Sequence, residues 1–352
     1  MRGMKEMLSV RLGKGDMAGF LDGLLADPDC TVVAPVKHDG VVSFRAISSG
    51  TEAALDYSNS VSSPKGVVLP QVETLLSCPC SSPEGEDVVE HTPEPGRVVL
   101  FGVRPCDARG IRFLDGVFDG EADRDTYYAR RRESLLVVSL GCSHPHTTCF
   151  CTTTGGGPFS TEGSDLLMAE HGDEYIVFTV TEKGARFLSQ HGLAQADESS
   201  VQAVRKTAEL CMAEMQPRVG LSVLKESLDG SFDAAAWNAL TEKCVGCGVC
   251  TYVCPTCHCF DIVDEVCGNS RVRNRIWDSC QFPCFTRQAS GFNPRPTYRE
   301  RYRQRFMHKF SFCADRYGTV GCVGCGRCVT ECPVNLDIRR IMAFFHNKPG
   351  EE

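Results

Sequence analysis

A duplicated cysteine run constrains this chain more than any other feature. Cys244-x2-Cys247-x2-Cys250-x3-Cys254-Pro255 recurs as Cys322-x2-Cys325-x2-Cys328-x3-Cys332-Pro333. Three closely spaced thiolates wrap one corner of an iron-sulfur cubane, while the fourth, carried away by the proline, points to the neighbouring cluster. The two runs therefore predict two adjacent [4Fe-4S] clusters, one on Cys244, Cys247, Cys250 and Cys332, the other on Cys322, Cys325, Cys328 and Cys254. Zinc sites pair two short knuckles across a longer gap and do not use a triple run ending in Cys-Pro. Two close carriers that each change by one electron make a relay, which points to electron transfer between other redox centres.

The rest of the chain narrows its setting. A disulfide framework suits short secreted chains, whereas this one has 352 residues and 22 cysteines. Its start, Met1-Arg2-Gly3-Met4-Lys5, lacks the charged-then-apolar order of a leader. No apolar stretch reaches the roughly eighteen residues of a membrane span, and the mean hydropathy is -0.16. The expected setting is an anaerobic cytoplasm that keeps thiols reduced. A net charge of -8 argues against nucleic acid as a partner. Arginine is concentrated in one tract, at Arg271, Arg273, Arg275, Arg287, Arg295, Arg299, Arg301, Arg303 and Arg305. The tract reads either as a solvated, salt-bridged face or as a dock for an acidic partner or electron carrier.

Composition divides the chain near 235–243, after which cysteine, arginine and proline dominate. Before that point, apolar runs at 31–36, 98–103, 135–140 and 175–180 read as buried strands, and 16–26, 107–118, 182–191 and 198–227 as helices. The segment 232–243 reads as a helix leading into the first cysteine run, and the Ser- and Pro-rich stretch 58–95 as a surface excursion. The predicted class is α+β. An α/β domain over 1–240 is followed over 241–352 by a largely helical, ferredoxin-like dicluster domain with a long insertion at 255–321.

Four amino-terminal cysteines suggest a further site. Cys106 follows the strand ending at Val103, and Cys142, Cys149 and Cys151 follow the strand ending at Leu140. Loops beyond the carboxyl ends of parallel strands form the ligand crevice of α/β sheets, so two parallel strands would gather these thiols. Four thiols suffice for a third cluster; buried free thiols are the other reading, and a structural zinc is a third. Arg104 and Asp107 read as a helix cap and as partners of each other. In the insertion, Cys257, Cys259, Cys280 and Cys284 could form a fourth metal site beside His258 and Trp277, although small thiols packed around the clusters are the preferred reading. The glycine-rich Gly13-Lys14-Gly15 segment follows no strand in a dinucleotide-binding pattern, and no P-loop, nucleophile elbow or His-Glu-x-x-His helix occurs. No catalytic residue and no substrate site are expected.

Taken together, Phe101-Gly102-Val103-Arg104-Pro105-Cys106-Asp107, Cys149-Phe150-Cys151, Cys254-Pro255-Thr256-Cys257-His258-Cys259-Phe260 and His308-Lys309-Phe310 resemble the dicluster iron-sulfur subunit family. That family includes the sulfhydrogenase beta subunit, the corresponding iron-sulfur subunit of the anaerobic sulfite reductase, and related subunits of flavin-containing, heterodisulfide-reductase-linked complexes. The resemblance runs from about 97 to about 340. It implies an oxidoreductase subunit that passes electrons between a flavoprotein working on NAD(P)H and a catalytic subunit of hydrogenase, sulfite reductase or heterodisulfide reductase type. FAD and NAD(P) would then lie on a partner only. It also implies a third [4Fe-4S] cluster on Cys106, Cys142, Cys149 and Cys151. Two alternatives stand beside it: a reductase whose amino-terminal cluster binds substrate directly, and a scaffold subunit with a structural zinc.

Overall fold

The computed structural model describes residues 8–81, 87–94, 96–120, 124–217 and 219–347. Its larger sheet has seven strands. They are β1 (Ser9–Gly13), β2 (Cys30–His38) and β3 (Val41–Ala46), then β6 (Arg97–Val103), β7 (Leu135–Leu140), β8 (Leu166–His171) and β9 (Glu174–Thr179), in the spatial order β1-β9-β8-β7-β6-β2-β3. The central strands β2, β6, β7 and β8 run parallel, and the outer pairs are antiparallel. Strand β7 is buried along its whole length, as its unbroken Leu-Leu-Val-Val-Ser-Leu sequence requires of a strand covered on both faces. Val99, Phe101, Leu136 and Val138 point to the layer formed by α1 (Met17–Leu25) and by Phe187 of the later helix α4. Leu100, Val103, Leu135 and Val137 point to the opposite layer, with α2 (Pro105–Phe118) and α3 (Thr126–Ser134). Helix α4 (Glu182–Ser189) belongs to the first layer, and α5 (Glu198–Glu214) lies against β8 and β9 through Val201, Val204 and Ala208.

The segment 58–95 is not the loose excursion expected of it. Its β4 (Val72–Pro79) and β5 (Val89–Glu90) join β10 (Phe260–Cys267) and β11 (Ser270–Trp277) in a second, antiparallel sheet, ordered β10-β11-β4-β5. The partner of β4 lies two hundred residues away in the insertion, so local sequence gives no sign of the pairing. A buried Glu73 carboxylate on β4 meets Arg275 of β11 and Arg131 of α3, which ties this sheet to the α/β layer.

The single helix expected over 198–227 is two. Pro217 disfavours helical backbone at the residue before it, so α5 stops at Glu214 and α6 (Leu221–Asp229) starts afresh after Gly220. The two helices serve different cores. Leu224 and Leu228 of α6 and Trp237 of α7 (Ala236–Thr241) pack with Tyr302 and Phe306 of α9 (Tyr298–Met307) and with Ile341 and Phe345 of α12 (Ile338–Asn347). The cysteine runs surround this core. Each contains a one-turn helix, α8 (Val249–Tyr252) and α11 (Arg327–Thr330), and α10 (Cys313–Tyr317) lies between them in the chain. The fold is thus mixed α and β, with the sheet amino-terminal and the helical part carboxy-terminal. Trp237 is fully buried, so Trp237→Ala is expected to cost about 3–5 kcal/mol in a denaturant melt. An unshifted midpoint would show that α7 adds nothing to the carboxy-terminal core.

Candidate iron-sulfur sites

Three thiol-lined hollows lie in the region joining the α/β layer to the carboxy-terminal core. In the first, Cys244, Cys247, Cys250 and Cys332 line one hollow, with Cys328 at its inner wall. In the second, Cys322, Cys325, Cys328 and Cys254 surround a smaller one. The cysteine after each triple run therefore reaches across to the other run. Cys106, Cys142, Cys149 and Cys151 line the third hollow, together with Cys325. Nowhere among the described residues do three His, Cys, Asp or Glu side chains converge closely enough to hold a single metal ion. A ring of thiols around a hollow suits a cubane, whose four irons each take one thiolate, better than it suits zinc.

Local backbone chemistry places these thiols. Strand β6 carries a register shift at Gly102, whose φ is +70° and whose added Cβ would lie 2.6 Å from Leu55 Cδ2. The bulge turns the strand end, and α2 then begins at Pro105 with Cys106 in its first turn. Parallel pairing of β6 with β7 brings Cys142 alongside, as the sequence predicts. The loop after β7 then meets the second run backbone to backbone. The Phe150 N–H donates to Gly324 O at 2.8 Å, and a Cβ on Gly324 would stand 2.5 Å from the Phe150 carbonyl. Only glycine permits that approach, at a φ of +65°.

Arg104 and Asp107 do not pair with each other, contrary to the sequence expectation, and neither side chain caps α2. Arg104 lies over the Tyr57 ring and donates to Gly141 O at 2.9 Å, tying the ends of β6 and β7 together. Asp107 takes a two-pronged hydrogen bond from Arg327, both contacts at 2.7 Å, with side-chain exposures of 0% and 2%. Arg327 also donates to the Ser60 hydroxyl and carbonyl. One ion pair therefore links the residue next to Cys106 with one of the two residues between Cys325 and Cys328.

Sequence reasoning missed two buried cations. Arg305 lines the first and second hollows and donates to Cys250 O. Lys309 sits on a π-helical turn, His308–Phe312, and its Nζ reaches Cys254 Sγ at 3.4 Å, Thr256 Oγ1 at 3.0 Å and Gly321 O at 2.7 Å. Burial alone would lower the Lys309 pKa, but the Cys254 and Cys257 sulfurs hold it well above its usual value. A hydrogen bond from the Cys257 thiol, with help from Lys309, pulls Cys254 down. Burial pushes Cys149 and Cys322 up to about 11, and Cys151 and Cys250 to about 12, so these thiols shed protons when iron binds. The signal for Lys309 was the His308-Lys309-Phe310 motif; for Arg305 there was none, because it is one arginine in a tract. Much of that tract is internally paired: Arg273 with Asp264, Arg275 with Glu73, Arg303 with Asp233, and Arg301 with the Arg295 and Pro296 carbonyls. Arg271 and Arg287 remain exposed.

The family model described as a 4Fe-4S dicluster domain matches residues 243–336. Sulfhydrogenase 2 subunit beta of Pyrococcus furiosus is 32% identical over 314 residues, covering 88% of this chain and 91% of that protein. This chain belongs to the dicluster iron-sulfur subunit family. It is an iron-sulfur electron-transfer subunit of an oxidoreductase, with [4Fe-4S] chemistry in its carboxy-terminal part. No solved structure matches the protein significantly. No helix among its described residues is long and apolar enough to cross a membrane.

Removing one partner of a fully buried ion pair strands the other charge. Asp107→Ala is expected to cost about 3–5 kcal/mol in chemical denaturation, and Arg327→Lys, which loses the two-pronged geometry, to fail to restore full stability. A near-neutral Asp107→Ala would show that the pair does not hold the seam.

Proposed function

We propose that the protein relays single electrons along a row of three [4Fe-4S] clusters within a cytoplasmic, multi-subunit complex. The arrangement of shared cysteines carries this reading. Cys328 lines both the first and second hollows, and Cys325 both the second and third, so the second site adjoins each of the others. Cys244, Cys247, Cys250 and Cys332 would hold cluster one, Cys322, Cys325, Cys328 and Cys254 cluster two, and Cys106, Cys142, Cys149 and Cys151 cluster three. When bound, the clusters supply one-electron steps. The protein fixes their order and surrounds the middle position with Lys309 and Arg305, whose charge favours the reduced state.

Both ends of the row are open to partners. At the first site Cys247 is exposed and Val245 is 51% exposed. At the third, Cys149 forms part of the wall of a cleft of about 670 Å³, with His146, Glu214, Arg339 and Arg340. A flavoprotein that exchanges electrons with NAD(P)H fits one end and a catalytic redox subunit the other, with FAD and NAD(P) on the partner. The sulfhydrogenase relative favours a hydrogenase-type catalytic partner.

The cleft favours one rival reading, a reductase that binds a small substrate at the third cluster, because its volume falls in the usual ligand-pocket range of about 300–1,000 Å³. Cys106, Cys142, Cys149 and Cys151 already line that hollow, however, one for each iron of a cubane, and one of them would have to leave before an iron could take a substrate. Metal analysis of anaerobically purified protein tests the relay. About twelve irons per chain, falling by about four in Cys149→Ser, are expected. About eight irons, unchanged in the variant, or one zinc in their place at the third site, would overturn it.

A further inference from the structure

The three hollows leave several thiols of the insertion unassigned. Cys267 and Cys284 are exposed, and Cys313 is buried among apolar side chains. Cys259 and Cys280 differ from these, because the two thiols lie within range to act on each other, with Cys259 as the donor. The pairing follows from the hairpin. Its last ladder rung sets Phe260 opposite Trp277, and Asp278 N–H donates to Cys259 O at 2.9 Å, which extends the ladder by one step and brings Cys280 over Cys259. Cys280 N–H points to the Cys259 sulfur as well. Both residues are only half-buried, so protons can reach solvent.

The location of the pair is as telling as its geometry. Gln281, the next residue, lines the first hollow, and its Nε2 lies 3.7 Å from Cys280 Sγ and 3.0 Å from Arg301 O. On the other side, Cys257 lies two residues before Cys259 and shares a hydrogen bond with Cys254, which lines the second hollow. The backbone on that side is held by Lys65, whose Nζ donates to Cys257 O at 2.7 Å and lies 4.2 Å from the Trp277 ring centroid. Cys284 stands exposed on a separate turn and does not join the pair.

We propose that Cys259 and Cys280 are a redox-active dithiol that closes to a disulfide and exchanges two electrons with the neighbouring first and second sites. On closing from the thiol–thiolate form, the Cys259 S–H bond breaks and one S–S bond forms. One proton leaves to solvent, and two electrons leave, one to each of two oxidised [4Fe-4S] clusters; reopening is the reverse. The destination of the electrons rests on the relay reading, whereas the disulfide itself does not. The hydrogen bond from the Cys259 thiol brings Cys280 down to about 6 and holds Cys259 up, which leaves one sulfur as a thiolate near neutral pH, the form that attacks in thiol-disulfide exchange. Such a pair would let a row of one-electron carriers hold and release electrons two at a time.

The test uses the intact cluster-loaded chain, poised anaerobically in thiol-disulfide buffers, quenched in acid, alkylated and mapped by peptide mass spectrometry. A Cys259–Cys280 cross-linked peptide is expected under oxidising buffer and is expected to disappear after dithionite, with the iron count the same in both. Cys259→Ser should keep its iron while taking up about two fewer electrons per chain in a reductive titration. Absence of the cross-link at every potential overturns the proposal. So does loss of about four irons in Cys259→Ser or Cys280→Ser, which would make these residues cluster ligands. Failure of the relay would appear separately, as a low iron count in the unsubstituted chain with the cross-link still present.

Discussion

The buried Asp107–Arg327 ion pair is the constraint from which the arrangement of the thiol sites follows. Asp107 lies on the α/β side, next to Cys106, and Arg327 lies within the second cysteine run. With both side chains almost fully buried and two hydrogen bonds at 2.7 Å, the pair holds the start of α2 against the second cysteine run. A buried ion pair of this kind is weak evidence of net stability, because desolvation offsets most of the attraction. What it enforces is geometry. The Phe150-to-Gly324 hydrogen bond beside it brings two loops into backbone contact, and Cys325 is thereby placed between two thiol-lined hollows.

Charge explains the surroundings of the middle site. Thiolates gathered in a low-dielectric interior repel one another, and a cluster carried on them adds further negative charge. Lys309 and Arg305, both buried on the α9 side, stand against that charge, and the π-helical turn carries Lys309. The same electrostatics separate the two thiol pairs of the insertion. Cys257 donates to a Cys254 sulfur that Lys309 reaches directly, whereas Cys259 donates to Cys280, which a glutamine amide approaches and on which Arg305 and Lys309 act through charge alone. Cys254 of the first pair belongs to the wall of the second hollow, whereas neither Cys259 nor Cys280 lines any of the three.

The dicluster runs were legible in the sequence because their ligands are local and their spacing is a geometric requirement of the cubane. The strands β2, β6, β7 and β9 were legible for a similar reason, since buried strands read as continuous apolar runs. Long-range pairing was not. Strand β4 meets β11 across two hundred residues, and Asp107 meets Arg327 across 220, so the nearer Arg104 looked the better partner. The break between α5 and α6 was visible in Pro217 and Gly220 but was outweighed by helical composition on either side. Arginine count also misled in part, because Arg275, Arg301 and Arg305 are buried structural groups rather than a surface field.

Electron paramagnetic resonance of the fully reduced protein, with relaxation measured against microwave power, tests the row of three sites most directly. The account predicts spin coupling among all reduced clusters, with Cys149→Ser removing the contribution of the amino-terminal site and leaving the interacting carboxy-terminal pair intact. A magnetically isolated third signal, or a spectrum that Cys149→Ser leaves unchanged, would contradict it.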